Sequence, residues 1–213
     1  MDNLEIIHVG KCGGSTVGLE LRKKNIKFTK AHVDKPKYDQ NKKYVIVIRN
    51  PIDRFISAFY WRYYLVVDSK IQENRFKNEK NILKKYGNIN NLCADLKINP
   101  NIFNGPNRNS GNYVQHLKED INYYLKNIIK KCSKEQIVGV ICTETIKDDM
   151  KNIFNIDVNK HSKNSEKNYN YDKNITDENY QILKDYLKKD YMIIDQMYEK
   201  GWINDKQYEI LKI

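Results

Sequence analysis

Apolar residues along this chain follow two rhythms, short continuous runs and helical spacings, and the alternation between them lays out the elements. Leu4-Glu5-Ile6-Ile7-His8-Val9 is a largely apolar run that stops at a glycine-containing loop, Gly10 to Gly14, and so predicts a strand entering a tight turn. From about Ser15 to Lys24 the spacing turns helical, with Val17 and Leu21 on one face and Asn25 as the stop signal. Ile26 to Ala31 predicts a second strand. Tyr44-Val45-Ile46-Val47-Ile48 is a β-branched run of the kind found in strands buried on both faces, which predicts a central place in a parallel sheet. Asn50, Pro51 and Asp53 then supply a cap, a first-turn proline and negative charge for a helix reaching Tyr64.

The stretch from Asp68 to Gly111 weakens into charged residues, asparagines and a Gly105-Pro106 turn, and predicts an irregular, partly helical excursion. Beyond it, Tyr113 to Lys131 reads as a helix, Ile137 to Cys142 as a buried strand and Thr145 to Phe154 as another helix. A polar loop, Asn159 to Asn174, precedes a long helical pattern from about Asp177 to Lys200 and a short one near Asp205 to Lys212. Strands alternating with helices predict a three-layer α/β domain whose mainly parallel central sheet is flanked by helices and whose ligands bind beyond the carboxyl ends of the strands. A chain of 213 residues is suited to one such domain, 1–213, with a variable excursion at about 68–111.

The formal charge of +11 favours an anionic ligand or partner, although lysine and asparagine are abundant along the whole chain and a solvated basic surface explains part of it. No nucleic-acid reading motif accompanies the charge, so no specific nucleic-acid partner is expected. No apolar run reaches the roughly 18 residues of a membrane span. Cys12, Cys93, Cys132 and Cys142 lie far apart without metal-ligand spacing, which predicts reduced thiols, no metal and a cytoplasmic protein. Cys142, in an apolar run, reads as core; Cys12, inside the glycine loop, reads as accessible.

Two constellations carry chemistry. In Gly10-Lys11-Cys12-Gly13-Gly14-Ser15-Thr16, small residues let backbone N–H groups approach an anion at a helix N-terminus, and Lys11 adds a positive charge. The lysine precedes the glycine pair, unlike the G-x-x-x-x-G-K-[ST] order of nucleotide triphosphatases. In Arg49-Asn50-Pro51-Ile52-Asp53-Arg54-Phe55-Ile56-Ser57, an arginine at a strand end and a serine two turns into the next helix offer a guanidinium fork and a hydroxyl to one phosphate.

Together these stretches resemble the sulfotransferases that use 3′-phosphoadenosine-5′-phosphosulfate, in particular the carbohydrate-type branch. His8-Val9-Gly10-Lys11-Cys12-Gly13-Gly14-Ser15 is similar to that branch's H-x-x-K-[TC]-G-G-[ST] loop, with Gly10 where proline is common, and Arg49 to Ser57 resembles its R-[ND]-P-x-x-R-x-x-S element. Lys30-Ala31-His32 resembles the K-x-H element, Val138 to Glu144 a later strand ending in glutamate, and His161-Ser162-Lys163-Asn164-Ser165 a polar donor-side loop.

The resemblance implies a P-loop-like fold and transfer of a sulfuryl group to a hydroxyl or amine acceptor, a glycan among the candidates. Adenosine 3′,5′-bisphosphate would be the product. It further implies that Lys11, Cys12, Gly13, Gly14, Ser15 and Thr16 hold the 5′-phosphate side of the donor, that Arg49 and Ser57 hold its 3′-phosphate, and that Lys11 and His32 are catalytic. A neutral histidine is suited to take a proton from an attacking hydroxyl, and no metal is required. His8 is expected to pack beneath the loop, while Gln115 and His116 lie on a predicted helix, open either to substrate or to solvent. A P-loop kinase-like phosphotransferase and a noncatalytic basic module for anionic polymers are the alternatives. The first should show a later G-K-[ST] lysine, and the second has no need of Lys11, His32, Arg49 and Ser57 in this order.

Overall fold

Four of the apolar runs become strands and the helical spacings become helices in the computed structural model, which describes residues 3–103, 108–159 and 169–213. In chain order these are β1 (Leu4–His8), α1 (Gly14–Lys23), β2 (Thr29–Ala31), β3 (Lys43–Ile48), α2 (Pro51–Tyr63), α3 (Glu79–Tyr86), α4 (Ile89–Ile98), α5 (Ile121–Lys131), β4 (Ile137–Cys142), α6 (Ile146–Phe154), α7 (Asp177–Tyr186), α8 (Lys188–Glu199) and α9 (Asp205–Lys212). Contacts divide the chain into a first unit, Met1–Pro51 with Glu119–Asn164 and Lys189–Ile213, and a second, Ile52–Lys118 with Ser165–Lys188.

The first unit is built on an all-parallel sheet in the order β2-β1-β3-β4. Every residue of β1, and Tyr44 to Ile48 of β3, is buried, as expected of central strands covered on both faces. The crossover from β1 to β2 runs one way along the sheet and that from β3 to β4 the other. The chain therefore reverses direction between β1 and β3. The α/β class with a parallel central sheet flanked by helices is thus as the sequence predicts.

Local chemistry sets the ends of these elements. At the end of α1, Asn25 is left-handed (φ 55°), and the N–H groups of Asn25 and Ile26 donate to the carbonyls of Arg22 and Leu21, so the predicted stop is an asparagine in a Schellman-type cap. Helix α5 starts at Ile121 rather than at Tyr113. Asp120 accepts from the Tyr123 N–H at 2.6 Å and caps it there, while residues 113–120 form turns with His116 left-handed (φ 67°). Removing this cap in Asp120→Ala should cost about 0.5–2 kcal/mol of stability, read as a lowered denaturant midpoint at unchanged slope.

The second unit is helical in its described part. A π-helical turn, Tyr64–Asp68, extends α2, and α4 packs on α7. Its centre holds a two-pronged ion pair: Arg62 Nε and Nη2 donate to Glu79 Oε1 and Oε2 at 2.9 and 2.6 Å, with both side chains inaccessible to solvent. Gln72 accepts from Arg62 Nη1 at 2.6 Å and the Gln115 N–H donates to Glu79 at 3.0 Å, so the buried charges are surrounded by partners. Phe55, Phe59 and Tyr60 of α2 are buried in the core.

The long helix expected at 177–200 is two helices with a break at Leu187. The excursion expected at 68–111 contains α3 and α4. Gly105-Pro106 and His161-Ser162-Lys163-Asn164-Ser165 lie outside the described residues, as does most of the polar loop expected at 159–174. No helix among the described residues is long and apolar enough to cross a membrane.

Candidate active site

Strand β1 delivers the chain into a loop whose backbone alternates in hand. Lys11 (φ 69°) and Gly13 (φ 76°) are left-handed and Cys12 between them is not, the alternation that turns successive N–H groups toward a common point. A lysine held left-handed is a local strain of the kind that collects at binding loops. Gly13 is the N-cap of α1, its carbonyl accepting from the Thr16 N–H at 2.9 Å, and the first turn of α1 carries no acidic residue. The N-terminal end of α1, with its partial positive charge, is therefore not neutralised from within its own first turn.

The loop side chains divide by burial. Lys11 and Ser15 are half-buried and Thr16 is buried. Cys12 corrects the sequence expectation. It is buried rather than accessible, because its thiol turns inward to donate to the Gly10 carbonyl at 3.7 Å, so Cys12 offers an anion only its backbone. Gly14 has a different constraint: a Cβ there would lie 2.2 Å from His8 Cδ2, so no larger residue fits without displacing that ring.

His32 follows β2 at the same edge of the sheet. Its Nδ1 lies 3.0 Å from the His8 carbonyl oxygen, and since a carbonyl only accepts, Nδ1 carries the proton and the neutral ring presents Nε2 as a proton acceptor. Burial lowers the His32 pKa below its usual value of 6.5, and the positive charge of Lys30 acts in the same direction against the opposing bond to the His8 carbonyl. The ring is therefore neutral at physiological pH. His8 is buried, as expected, and its ring stacks on His32 with centroids 4.0 Å apart and planes inclined by 12°.

Arg49 leaves β3 at the same edge, with Nε 3.6 Å from Glu144 Oε1, and the same oxygen accepts from the Asn50 N–H at 3.1 Å. Glu144, just past β4, thus orients both the strand end and its arginine. Beneath it, buried Asp149 accepts from the Cys142 N–H and Thr145 Oγ at 2.8 Å and from Gln207 Nε2 at 3.0 Å, fixing the turn between β4 and α6. Burial raises the Asp149 pKa despite these bonds.

The strand register places Lys11, His32, Arg49 and Glu144 beyond the carboxyl ends of β1, β2, β3 and β4, around the switch point between β1 and β3. Ser57 is half-buried on α2 and belongs to the second unit. Gln115 and His116 are buried in turns of that unit, not on a helix face, and the His116 carbonyl accepts from fully buried Arg54 at 2.9 Å. The partnership of His8 with His32 and the support from Asp149 had no signal of their own in the sequence, because both arise from contacts between separate strands and helices. No family model, curated protein or solved structure matches the chain.

Proposed function

We propose that the protein is a sulfotransferase that takes the sulfuryl group of 3′-phosphoadenosine-5′-phosphosulfate to a hydroxyl or amine acceptor, with a glycan among the candidates. The observation that carries the reading is the pinned His32. A neutral imidazole whose Nδ1–H donates to a backbone carbonyl, leaving Nε2 as the acceptor, shares a sheet edge with an anion loop of alternating hand and with Arg49. When bound, the donor supplies the sulfuryl group. Backbone N–H groups from Gly13 to Thr16 and the hydroxyls of Ser15 and Thr16 bind its 5′-phosphate side, Lys11 stabilises the charge that develops in transfer, and His32 Nε2 takes the acceptor proton. Arg49 binds the 3′-phosphate.

The test is a calorimetric titration with adenosine 3′,5′-bisphosphate and with ATP, followed by a screen of acceptor classes with radiolabelled donor. Tighter binding of the bisphosphate supports the reading; tighter binding of ATP favours a phosphotransferase, and binding of neither leaves a noncatalytic basic module. Arg49→Ala should weaken the bisphosphate by about 1.5–3 kcal/mol, the worth of a charge-assisted hydrogen bond, and leave adenosine 5′-phosphate nearly unchanged. Equal losses for both nucleotides would remove Arg49 from the 3′-phosphate.

A further inference from the structure

His8 has no part in binding or proton transfer as proposed above, yet it touches residues that do. Its carbonyl holds His32 Nδ1 at 3.0 Å and its ring lies face to face with the His32 ring at 4.0 Å. A hydrogen bond alone fixes one atom and leaves the imidazole free to rock about it; the stacked face removes that freedom. On Gly14, an added Cβ would fall 2.2 to 2.7 Å from His8 Cδ2, Cγ and Nε2, so the backbone at the first residue of α1 rests on the same ring. The His8 imidazole is therefore in contact both with the entry to α1 and with His32, and glycine at 14 is what permits the closeness.

We infer that His8 is a positioning residue that couples the anion loop to His32, setting the ring plane and tautomer of His32 from the place where α1 begins. The inference rests on the proposed role of His32 as base. A smaller side chain at 8 would leave the Gly14 backbone and the His32 ring each facing a void, and both would loosen together. Among the described residues, titratable groups near His32 include His8 from β1, Lys30 from β2 and, against the neighbouring Val33 N–H at 3.1 Å, the Tyr124 hydroxyl from α5. Among these, His8 supplies the covering ring, so its removal exposes His32 to water.

The experiment follows the ring nitrogens of His32 by ¹⁵N NMR in the full chain, without donor or acceptor. Wild type should show one neutral tautomer, protonated at Nδ1. His8→Ala keeps the carbonyl that accepts from Nδ1 but removes the covering ring, so His32 should swing off that carbonyl part of the time, its signals should average between tautomers, and the titration midpoint should rise toward about 6.5. His8→Gln, whose planar amide can still lie against the ring, should keep the single tautomer. Gly14→Ala should reproduce the averaging by displacing His8, although neither imidazole is changed. A folded His8→Ala with an unchanged tautomer and midpoint would overturn the inference. Should that variant fail to fold, unchanged His32 signals in Gly14→Ala would overturn it equally. Because these signals need no ligand, failure of the donor reading would show separately, as absent bisphosphate binding in wild type. Where wild type does bind it, a several-fold loss of that affinity in His8→Ala would support the coupling to the loop.

Discussion

Lys11→Ala should lower turnover by about 10²–10³-fold, the usual consequence of removing one preorganised group that stabilises developing charge. The substitution isolates charge from backbone. Lys11 is left-handed (φ 69°), and alanine meets the same steric cost there as lysine, so the alternating loop has no reason to relax. A glycine would remove the charge and relieve the strain at once, which makes Lys11→Gly the worse probe and a useful control. The lysine charge should act more strongly on the transition state than on the bound donor, so the loss should appear mainly in kcat, with a smaller change in affinity for adenosine 3′,5′-bisphosphate. Radiolabelled-donor kinetics and a binding titration on the same preparation separate the two. Unchanged turnover in a folded variant would take Lys11 out of the mechanism, and an affinity loss as large as the turnover loss would make it a binding group only.

The sheet was legible because its signal is local. Apolar runs at Leu4–His8, Lys43–Ile48 and Ile137–Cys142 are strands of the parallel sheet, and the glycine-rich turn after the first of them enters α1. What stayed hidden depends on contacts between distant segments. Apolar residues keep helical spacing through Leu183, Leu187, Tyr191 and Ile194, with no glycine or proline at the break, so periodicity alone runs α7 and α8 together. The start of α5 turns on one competing cap, Asp120, placed after residues whose pattern is equally helical. In the site, residue types at strand ends pointed to Lys11, His32 and Arg49. Nothing in the spacing says that Cys12 turns inward, that Glu144 holds Arg49, or that His8 lies flat on His32. These are side-chain directions, set by packing across the sheet edge.

His32→Ala should leave binding of adenosine 3′,5′-bisphosphate intact and reduce acceptor sulfation by about 10²–10⁴-fold, the contribution typical of a positioned general base. The geometry makes the prediction specific to one nitrogen. With Nδ1 donating to the His8 carbonyl at 3.0 Å, only Nε2 can receive a proton, and when it does the ring becomes a cation beside Lys30 in a partly buried site. Both burial and Lys30 oppose that charge, which is why the pKa lies below 6.5. The sign for activity follows: the working form is the neutral ring, present above the lowered pKa and lost as pH falls through it. The acid limb of kcat/KM in wild type should therefore have its midpoint below the ordinary histidine value of about 6.5, and His32→Ala should abolish that limb along with most of the activity, provided that proton transfer limits the rate. An acid limb that persists unchanged in a folded, active His32→Ala would assign the base elsewhere, with Glu144 the next carboxylate on the same sheet edge. Loss of bisphosphate binding in that variant would instead make His32 part of the scaffold under the anion loop, and the base of the transfer would have to be sought among other residues.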